Sequence, residues 1–170
     1  IGMICAEAGE KIARVSANMA MAADMEVRAS STSTTGAYSS ACQRGLPAIL
    51  MERGGGGRFT DSEVQAYKRD VKNIMIRMGL LSGEEVHTVQ QKNVTRAEYL
   101  EAETDGLWYP VFSAGDTFAG GAVLGTVRDI WGNLLREYRA DYPGIVLYQT
   151  VGLGVKTGDP LIAYGEYVDR

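Results

Sequence analysis

The chain has 170 residues, a mass of 18.4 kDa, a formal net charge of −4 and a pI near 5.1. This length suits one ordinary domain or two small ones, and an acidic chain without a basic cluster is not a general nucleic-acid binder. No apolar run reaches transmembrane length, and no signal peptide is visible. The two cysteines, Cys5 and Cys42, do not form a metal-type pair, so a reduced, cytoplasmic setting is the default expectation. The opening Ile-Gly-Met is what a fragment or trimmed chain would show.

The first segments predict a helix, a strand and a short second helix. Apolar residues at three- and four-residue spacing predict a helix from about Ile4 to Ala23. A short strand is expected over Glu26 to Ser30, with Val27 inward, and a short helix over Tyr38 to Arg44, ending at Gly45.

Residues 30–38 form a loop of small and hydroxyl-bearing residues. Such residues make side-chain turns to the backbone as a matter of course, and this is one interpretation of the loop. The other is a substrate-facing loop beside Glu52, with Thr35, Gly36 and Tyr38 as its candidate binding residues.

The segment from Gly45 to Thr60 organises the chain. Its apolar run, Ala48 to Met51, predicts a strand buried on both faces, which ends in the carboxylate of Glu52. Four glycines follow, and open α/β sheets place their chemistry at such strand ends. In the alternative interpretation, Glu52 is an ordinary carboxylate paired with Arg53 or Arg58, and the glycines form a flexible connection.

Thr60-Asp-Ser-Glu63 is a capping box, which predicts that a helix begins there. Gly79 is expected to end this helix, and its N-terminus suits an anionic substrate group. The predicted apolar face consists of Val64, Tyr67, Val71, Ile74, Met75 and Met78.

Beyond Ser82 the helical period gives way to short β-like runs, so we divide the chain into residues 1–82 and 83–170. Strands are expected over Leu107–Phe112, Val123–Val127, Gly144–Val151 and Pro160–Tyr164. The run from Val111 to Gly115-Asp116 is repeated weakly from Val155 to Gly158-Asp159, which suggests a small β-sandwich or partly open barrel. Residues 129–133 indicate a turn with Trp131 packed.

The repeated half-motif resembles the lipoyl and biotinyl carrier fold. Carriers need an exposed lysine at a hairpin tip, and Lys156 precedes a Gly-Asp turn in the wrong register. A structural or substrate-covering module is therefore favoured over a carrier.

The run from Gly45 to Arg58, with Thr35-Gly36 before it, resembles the succinylglutamate desuccinylase/aspartoacylase family, which is related to the zinc carboxypeptidases. The resemblance continues through the following helix into Gly106-Leu-Trp-Tyr-Pro-Val and Gly115-Asp116, so it covers nearly the whole chain. It implies the α/β C-terminal part of a carboxypeptidase-like mixed sheet with helices, followed by a small antiparallel β module of barrel-sandwich type.

The resemblance also implies site roles. Glu52 corresponds to the strand-end glutamate that acts as general base and acid beside a zinc-bound water. Arg58 is a candidate for binding a substrate carboxylate through two hydrogen bonds, and the alternative is an exposed arginine near a helix start.

One departure concerns the metal. The family binds zinc through a His-x-x-Glu motif and a later histidine, whereas the single histidine here, His87, follows Glu52. We therefore expect no metal ligand in this chain, and zinc only in a parent enzyme that hydrolyses an N-acyl amino acid or similar small amide. The chain alone would be inactive. A non-catalytic binding or assembly module is the alternative, and an exposed sheet edge makes a homo-oligomer plausible.

Overall fold

The structure is a computed structural model that describes residues 2–5 and 9–169. The helices are α1 (Glu10–Ala22), α2 (Ala37–Gln43) and α3 (Asp61–Arg77). The strands are β1 (Gly2–Cys5), β2 (Val27–Ser31), β3 (Ile49–Met51), β4 (Lys92–Glu101), β5 (Gly106–Pro110), β6 (Thr117–Phe118), β7 (Val123–Arg128), β8 (Leu134–Arg139), β9 (Gly144–Gln149), β10 (Gly154–Val155) and β11 (Pro160–Asp169). None of the described helices is both long and apolar enough to span a bilayer.

The chain divides into two compact units, Ile1–Asn93 with Val168–Arg170, and Val94–Tyr167. The boundary therefore lies later than the predicted one after residue 82. The reason is that residues 85–89 are bonded to the first unit. Asn73 exchanges two hydrogen bonds with the backbone of Val86, at 2.8 and 3.0 Å, and the Thr88 amide donates to Asp24 at 2.7 Å.

In the first unit, β1 lies between β3 and β2, parallel to β2 and antiparallel to β3. This confirms the predicted mixed sheet. The predicted start of the first helix is wrong, because Ile4 lies in β1, opposite Ser30 and Ile49, and α1 begins at Glu10. Periodicity cannot separate a four-residue apolar strand from the helix that follows it, and pairing on both sides decides the outcome.

The strand β3 stands first in the strand order and pairs with β1. Its residues are half-buried, so the prediction of a strand buried on both faces is wrong. An end strand is covered less completely than one with neighbours on both sides.

The predicted short elements around β3 are confirmed. Val27 is buried in β2, and α2 ends with the Gly45 amide bonded to Cys42 and the Leu46 amide bonded to Ala41. The same pair of hydrogen bonds ends α3 at Gly79. Both are the Schellman arrangement that C′ glycines make.

The buried face of α3 differs from the predicted one. Asp70 and Asn73 are buried, whereas Val71 and Met78 are 46% and 41% exposed. The face toward the sheet carries polar groups because they bond to strand ends and to the connecting segment. The spacing of apolar residues alone therefore predicts the buried face of α3 only in part.

The second unit contains strands in two orders, β4-β11-β9-β6 and β10-β5-β7-β8. The pairs β11–β9, β9–β6, β10–β5, β5–β7 and β7–β8 are antiparallel. The four predicted strands are present as β5, β7, β9 and β11, while β4, β6, β8 and β10 were not predicted. The core includes Trp108, Leu124 and Tyr164. Gly125 permits this packing, because a Cβ there would lie 2.2 Å from the Trp108 ring. The barrel-sandwich description stays a prediction.

The internal repeat is visible in the geometry of its two turns. Asp116 accepts from the Ser113 amide and Asp159 from the Lys156 amide, both at 2.8 Å. Each turn then bonds through its glycine amide and aspartate carbonyl to a strand region of the other half. The first turn bonds Val146 and the second bonds Ala102. The two Gly-Asp turns therefore make equivalent backbone hydrogen bonds, each to a strand region in the other half of the repeat.

The turn between β7 and β8 is confirmed, but its tryptophan is not packed. The Asp129 carboxylate accepts from the amides of Trp131 and Asn133, both at 2.8 Å. These bonds order the turn while leaving Ile130 and Trp131 76% and 82% exposed. No lysine occupies this hairpin tip.

Candidate functional site at the end of the third strand

Glu52 directly follows β3 and is exposed. Met51 lies opposite Gly2 at the start of β1, so Glu52 lies at the end of the sheet where β1 and β2 begin. An exposed carboxylate at a fixed strand end is positioned to exchange protons with a bound molecule.

The four glycines after Arg53 form an ordered turn. Gly55 and Arg58 make an antiparallel bridge, closed by the Arg58 amide donating to the Gly55 carbonyl at 3.1 Å. Gly56 and Gly57 have φ angles of 61° and 69°, as a two-residue type I′ turn requires. The glycines are thus required by a tight turn and are more than a flexible connection.

The capping box at the start of α3 is confirmed. The Thr60 amide donates to the Glu63 carboxylate at 2.6 Å, and the Glu63 amide donates to the Thr60 hydroxyl at 3.3 Å. Asp61 and Glu63 also place negative charge in the first turn. The N-terminus of α3 is therefore capped by side chains of its own segment. The negative charge of its first turn weakens the expected attraction for an anionic substrate.

Residues on both sides of Glu52 are bonded to α3. The Tyr67 hydroxyl donates to the Met51 carbonyl at 3.0 Å and accepts from the Arg53 amide at 2.9 Å. The Arg53 guanidinium binds Asp70 through two nitrogens, at 2.7 and 3.0 Å. The backbone around Glu52 is thereby fastened to a helix.

A second buried carboxylate, Asp24, extends this network. It accepts from Arg69 at 2.9 Å and from Thr88 and Val89. Burial raises the pKa of Asp24, but hydrogen bonds from Thr88 and Val89 and the charge of Arg69 outweigh it and hold the pKa below its ordinary value. Asp24 is therefore ionised at neutral pH.

The hydroxyl-rich loop leaves β2 at the other end of the sheet. Ser31 lies opposite Cys5, whereas Glu52 follows the residue opposite Gly2. Thr35 bonds within the loop to Ser33, and Gly36 precedes α2. To approach Glu52 the loop would have to fold back along the sheet, so substrate binding by Thr35, Gly36 and Tyr38 stays a prediction.

The described residues do not offer a zinc site. No group of three His, Cys, Asp or Glu among them could hold a metal ion. His87 is an exposed residue whose Nε2 lies 3.0 Å from Glu85, which also pairs with Arg77. This fits the expectation that His87 is a surface residue.

Sequence patterns did not reveal Arg53, Tyr67, Asp70 and Asp24 as a network. A signal was present in two places. Asp24 interrupts the apolar run from Met19 to Met25, and Asp70 follows Tyr67 by three residues, which puts both on one helix face. An ionisable residue in a buried stretch needs a partner, although the sequence does not say which one.

The sequence and the fold were compared with those of known proteins. No family model matches the chain. It is 28% identical over 127 residues to the N-alpha-acetyl-L-2,4-diaminobutyric acid deacetylase of Halomonas elongata, covering 71% of this chain and 37% of that protein.

Several solved structures match nearly all of the chain, and two of them serve as examples. The ectoine utilization protein EutE (DoeB) from Ruegeria pomeroyi, in its product-bound form, has a TM-score of 0.86 at 22% identity over 97% of this chain and 52% of its own. A succinylglutamate desuccinylase/aspartoacylase from Rhodobacter sphaeroides has a TM-score of 0.81 at 21% identity over 99% and 53%. The resemblance stated from the sequence is thus confirmed in the fold, and the chain spans about half the length of these proteins.

Proposed function

We propose that this chain is the C-terminal part of a deacylase that hydrolyses the amide bond of an N-acyl amino acid or a similar small substrate. The observation that carries the proposal is Glu52, an exposed carboxylate whose flanking residues are bonded to α3. Its support from relatives is the shared fold and the names of those proteins, which describe removal of an acyl group.

In the proposed reaction Glu52 acts as general base and then as general acid. Its carboxylate accepts a proton from water as the water oxygen attacks the amide carbonyl carbon. The same proton passes to the amine nitrogen as the carbon–nitrogen bond breaks, leaving a carboxylate and an amine. Arg58, exposed at the end of the glycine turn, would bind a carboxylate of the substrate.

The metal belongs to this proposal as an expectation from the family resemblance. The described residues do not fit zinc, so its ligands would come from outside them. We also propose a cytoplasmic location, because the two cysteines, Cys5 and Cys42, give no sign of a disulfide framework.

The test uses the complete protein that contains this chain. Glu52→Gln keeps the shape of the side chain and removes its basicity, and we expect turnover to fall by at least about 10²-fold. Release of amine from N-acetyl-diaminobutyrate and N-succinylglutamate measures it, and elemental analysis checks that the variant keeps its metal content. Glu84→Gln, at an exposed glutamate, is the matched control.

Near-normal turnover of Glu52→Gln would remove this residue from the mechanism. If the unmodified complete protein hydrolyses none of a panel of N-acyl amino acids, the alternative of a binding or assembly module is favoured.

A further inference from the structure

One hydroxyl group joins the two peptide groups on either side of Glu52. The Tyr67 oxygen contacts the Met51 carbonyl and the Arg53 amide, at 3.0 and 2.9 Å. These two groups are oriented by the φ and ψ angles of the residue between them. Holding both at a single oxygen therefore restricts the backbone conformation of Glu52, and with it the direction of its side chain.

The position of the Tyr67 hydroxyl is itself supported. Its ring lies near the Arg53 guanidinium, whose Cζ is 6.0 Å from the ring centroid. Arg53 also binds both oxygens of Asp70, which lies three residues after Tyr67 on α3, and donates to the Asp24 carbonyl at 2.7 Å. The Asp70 side chain is fully buried. A charge-assisted, bidentate pair of this kind fixes geometry as well as adding stability.

This arrangement exceeds what strand termination requires. β3 ends at Met51, and a chain leaving a sheet at an exposed end can bond its carbonyl and amide to water. Here a helix supplies one side-chain oxygen for both groups, at the residue to which we assign the proton transfer. Mutual geometry of this precision matters for catalysis, since a misplacement of about 1 Å can lower a rate 10²-fold.

We infer that Tyr67 is a positioning residue for Glu52. Its hydroxyl, bonded to the Met51 carbonyl and the Arg53 amide, forms a clamp on the backbone of Glu52. The Arg53–Asp70 pair holds this clamp in place. Tyr67 does not contact the reacting atoms. Its hydroxyl sets the backbone angles at Glu52, so that the carboxylate is presented in one direction. This inference rests on the proposed function, because the direction of Glu52 affects a rate only if Glu52 transfers the proton.

The test is Tyr67→Phe in the complete protein, because this change removes one oxygen and keeps the ring beside Arg53. We expect kcat to fall about 10- to 100-fold while KM changes by less than about 3-fold, since substrate contacts are kept. Hydrogen–deuterium exchange of the same sample should show faster exchange of the Arg53 amide, which loses its acceptor.

Asn73→Ala is the matched control. Asn73 lies on the same helix, and its side chain also exchanges two hydrogen bonds with backbone groups, those of Val86. This variant should lose stability without a fall in kcat and without faster exchange at Arg53.

Three results would overturn the inference. They are a kcat of Tyr67→Phe within about 2-fold of the original, an equal loss of kcat in Asn73→Ala, or unchanged exchange at Arg53. If instead Glu52→Gln is fully active while Tyr67→Phe speeds exchange at Arg53, the clamp exists and the assignment of proton transfer to Glu52 has failed.

Discussion

Asp24 and Asp70 are carboxylates whose side chains have no solvent exposure, and each is paired with an arginine of the same unit. Burying such groups is costly unless hydrogen bonds and opposite charges compensate. Here both compensations are present, because backbone amides donate to each carboxylate in addition to its arginine. The first unit therefore depends on ionised groups in its interior.

This dependence predicts acid sensitivity. The pKa of Asp24 in the folded chain is lower than in the unfolded chain, so its contribution is fully present above the unfolded value of about 3.9 and is lost as the pH falls through the folded value. Asp24→Asn should lower the free energy of unfolding at pH 7 by about 3 kcal/mol, the scale for breaking a buried ion pair, and should flatten the pH dependence below about pH 4.

Circular dichroism at 222 nm during urea unfolding measures this effect, because the three helices of the described residues belong to the first unit. Glu84→Gln, which changes an exposed carboxylate, should leave the profile unaltered. An Asp24→Asn profile that parallels the original below pH 4 would contradict the assignment.

The two tryptophans should report opposite environments. Trp108 is 1% exposed and Trp131 is 82% exposed. Trp131→Phe should therefore remove the fraction of fluorescence that iodide quenches and leave a blue-shifted emission from Trp108. If the quenchable fraction is unchanged in this variant, another chain or segment covers Trp131 in solution.

Among the elements, those with a local signal were predictable from the sequence. The capping box at Thr60 and the glycine after α2 act within one turn of chain, and both are present as expected. The strand β1, which depends on distant partners, was not predictable. The apolar spacing predicts a helix over part of β1, because the pairing of β1 with β2 and β3 lies 26 and 45 or more residues away.

The residues of the candidate site also differ in how far the sequence predicts them. Glu52 and the glycines could be assigned from a strand end followed by a turn signal. The clamp could not, because Tyr67 looks like one more member of an apolar stripe until its hydroxyl is seen beside Met51 and Arg53.

The pairing of β5 with β7 depends on a glycine, Gly125, at a position where a side chain would not fit. Gly125 lies opposite Pro110, and its missing Cβ leaves room for the Trp108 ring. Gly125→Ala should destabilise the second unit by about 1–3 kcal/mol, the usual scale for overpacking.

Both tryptophans lie in the second unit, so tryptophan fluorescence during urea unfolding follows its stability. Gly154→Ala is the control, because a Cβ there meets nothing within 4 Å. An equal cost for the two changes would show that the Trp108 contact is not the cause.

At the scale of the whole molecule, the two units differ in the interactions that stabilise each of them. The first combines a mixed sheet, three helices and buried ion pairs, while the second is antiparallel β structure around an aromatic core. The sequence change near residue 82 predicts an α/β part followed by a β-rich part. It missed the exact boundary because residues 85–89 are held by side chains of α3 and by Asp24, which a composition shift does not reveal.

The reciprocal bonding of the two Gly-Asp turns has a consequence for cutting the chain. Each turn bonds to the other half, and β7–β8, β5–β10 and β6–β9 also join residues before and after the β7–β8 tip. Neither half can complete its hydrogen bonds alone, yet the tip itself contributes little to the core. Fragments 1–130 and 131–170 should therefore be incompletely folded apart and should reassemble when mixed. A blue shift of Trp108 emission on mixing, saturating at one to one, would show this complementation. Fragments that stay separate would mean that continuity through Ile130 and Trp131 is itself required for folding.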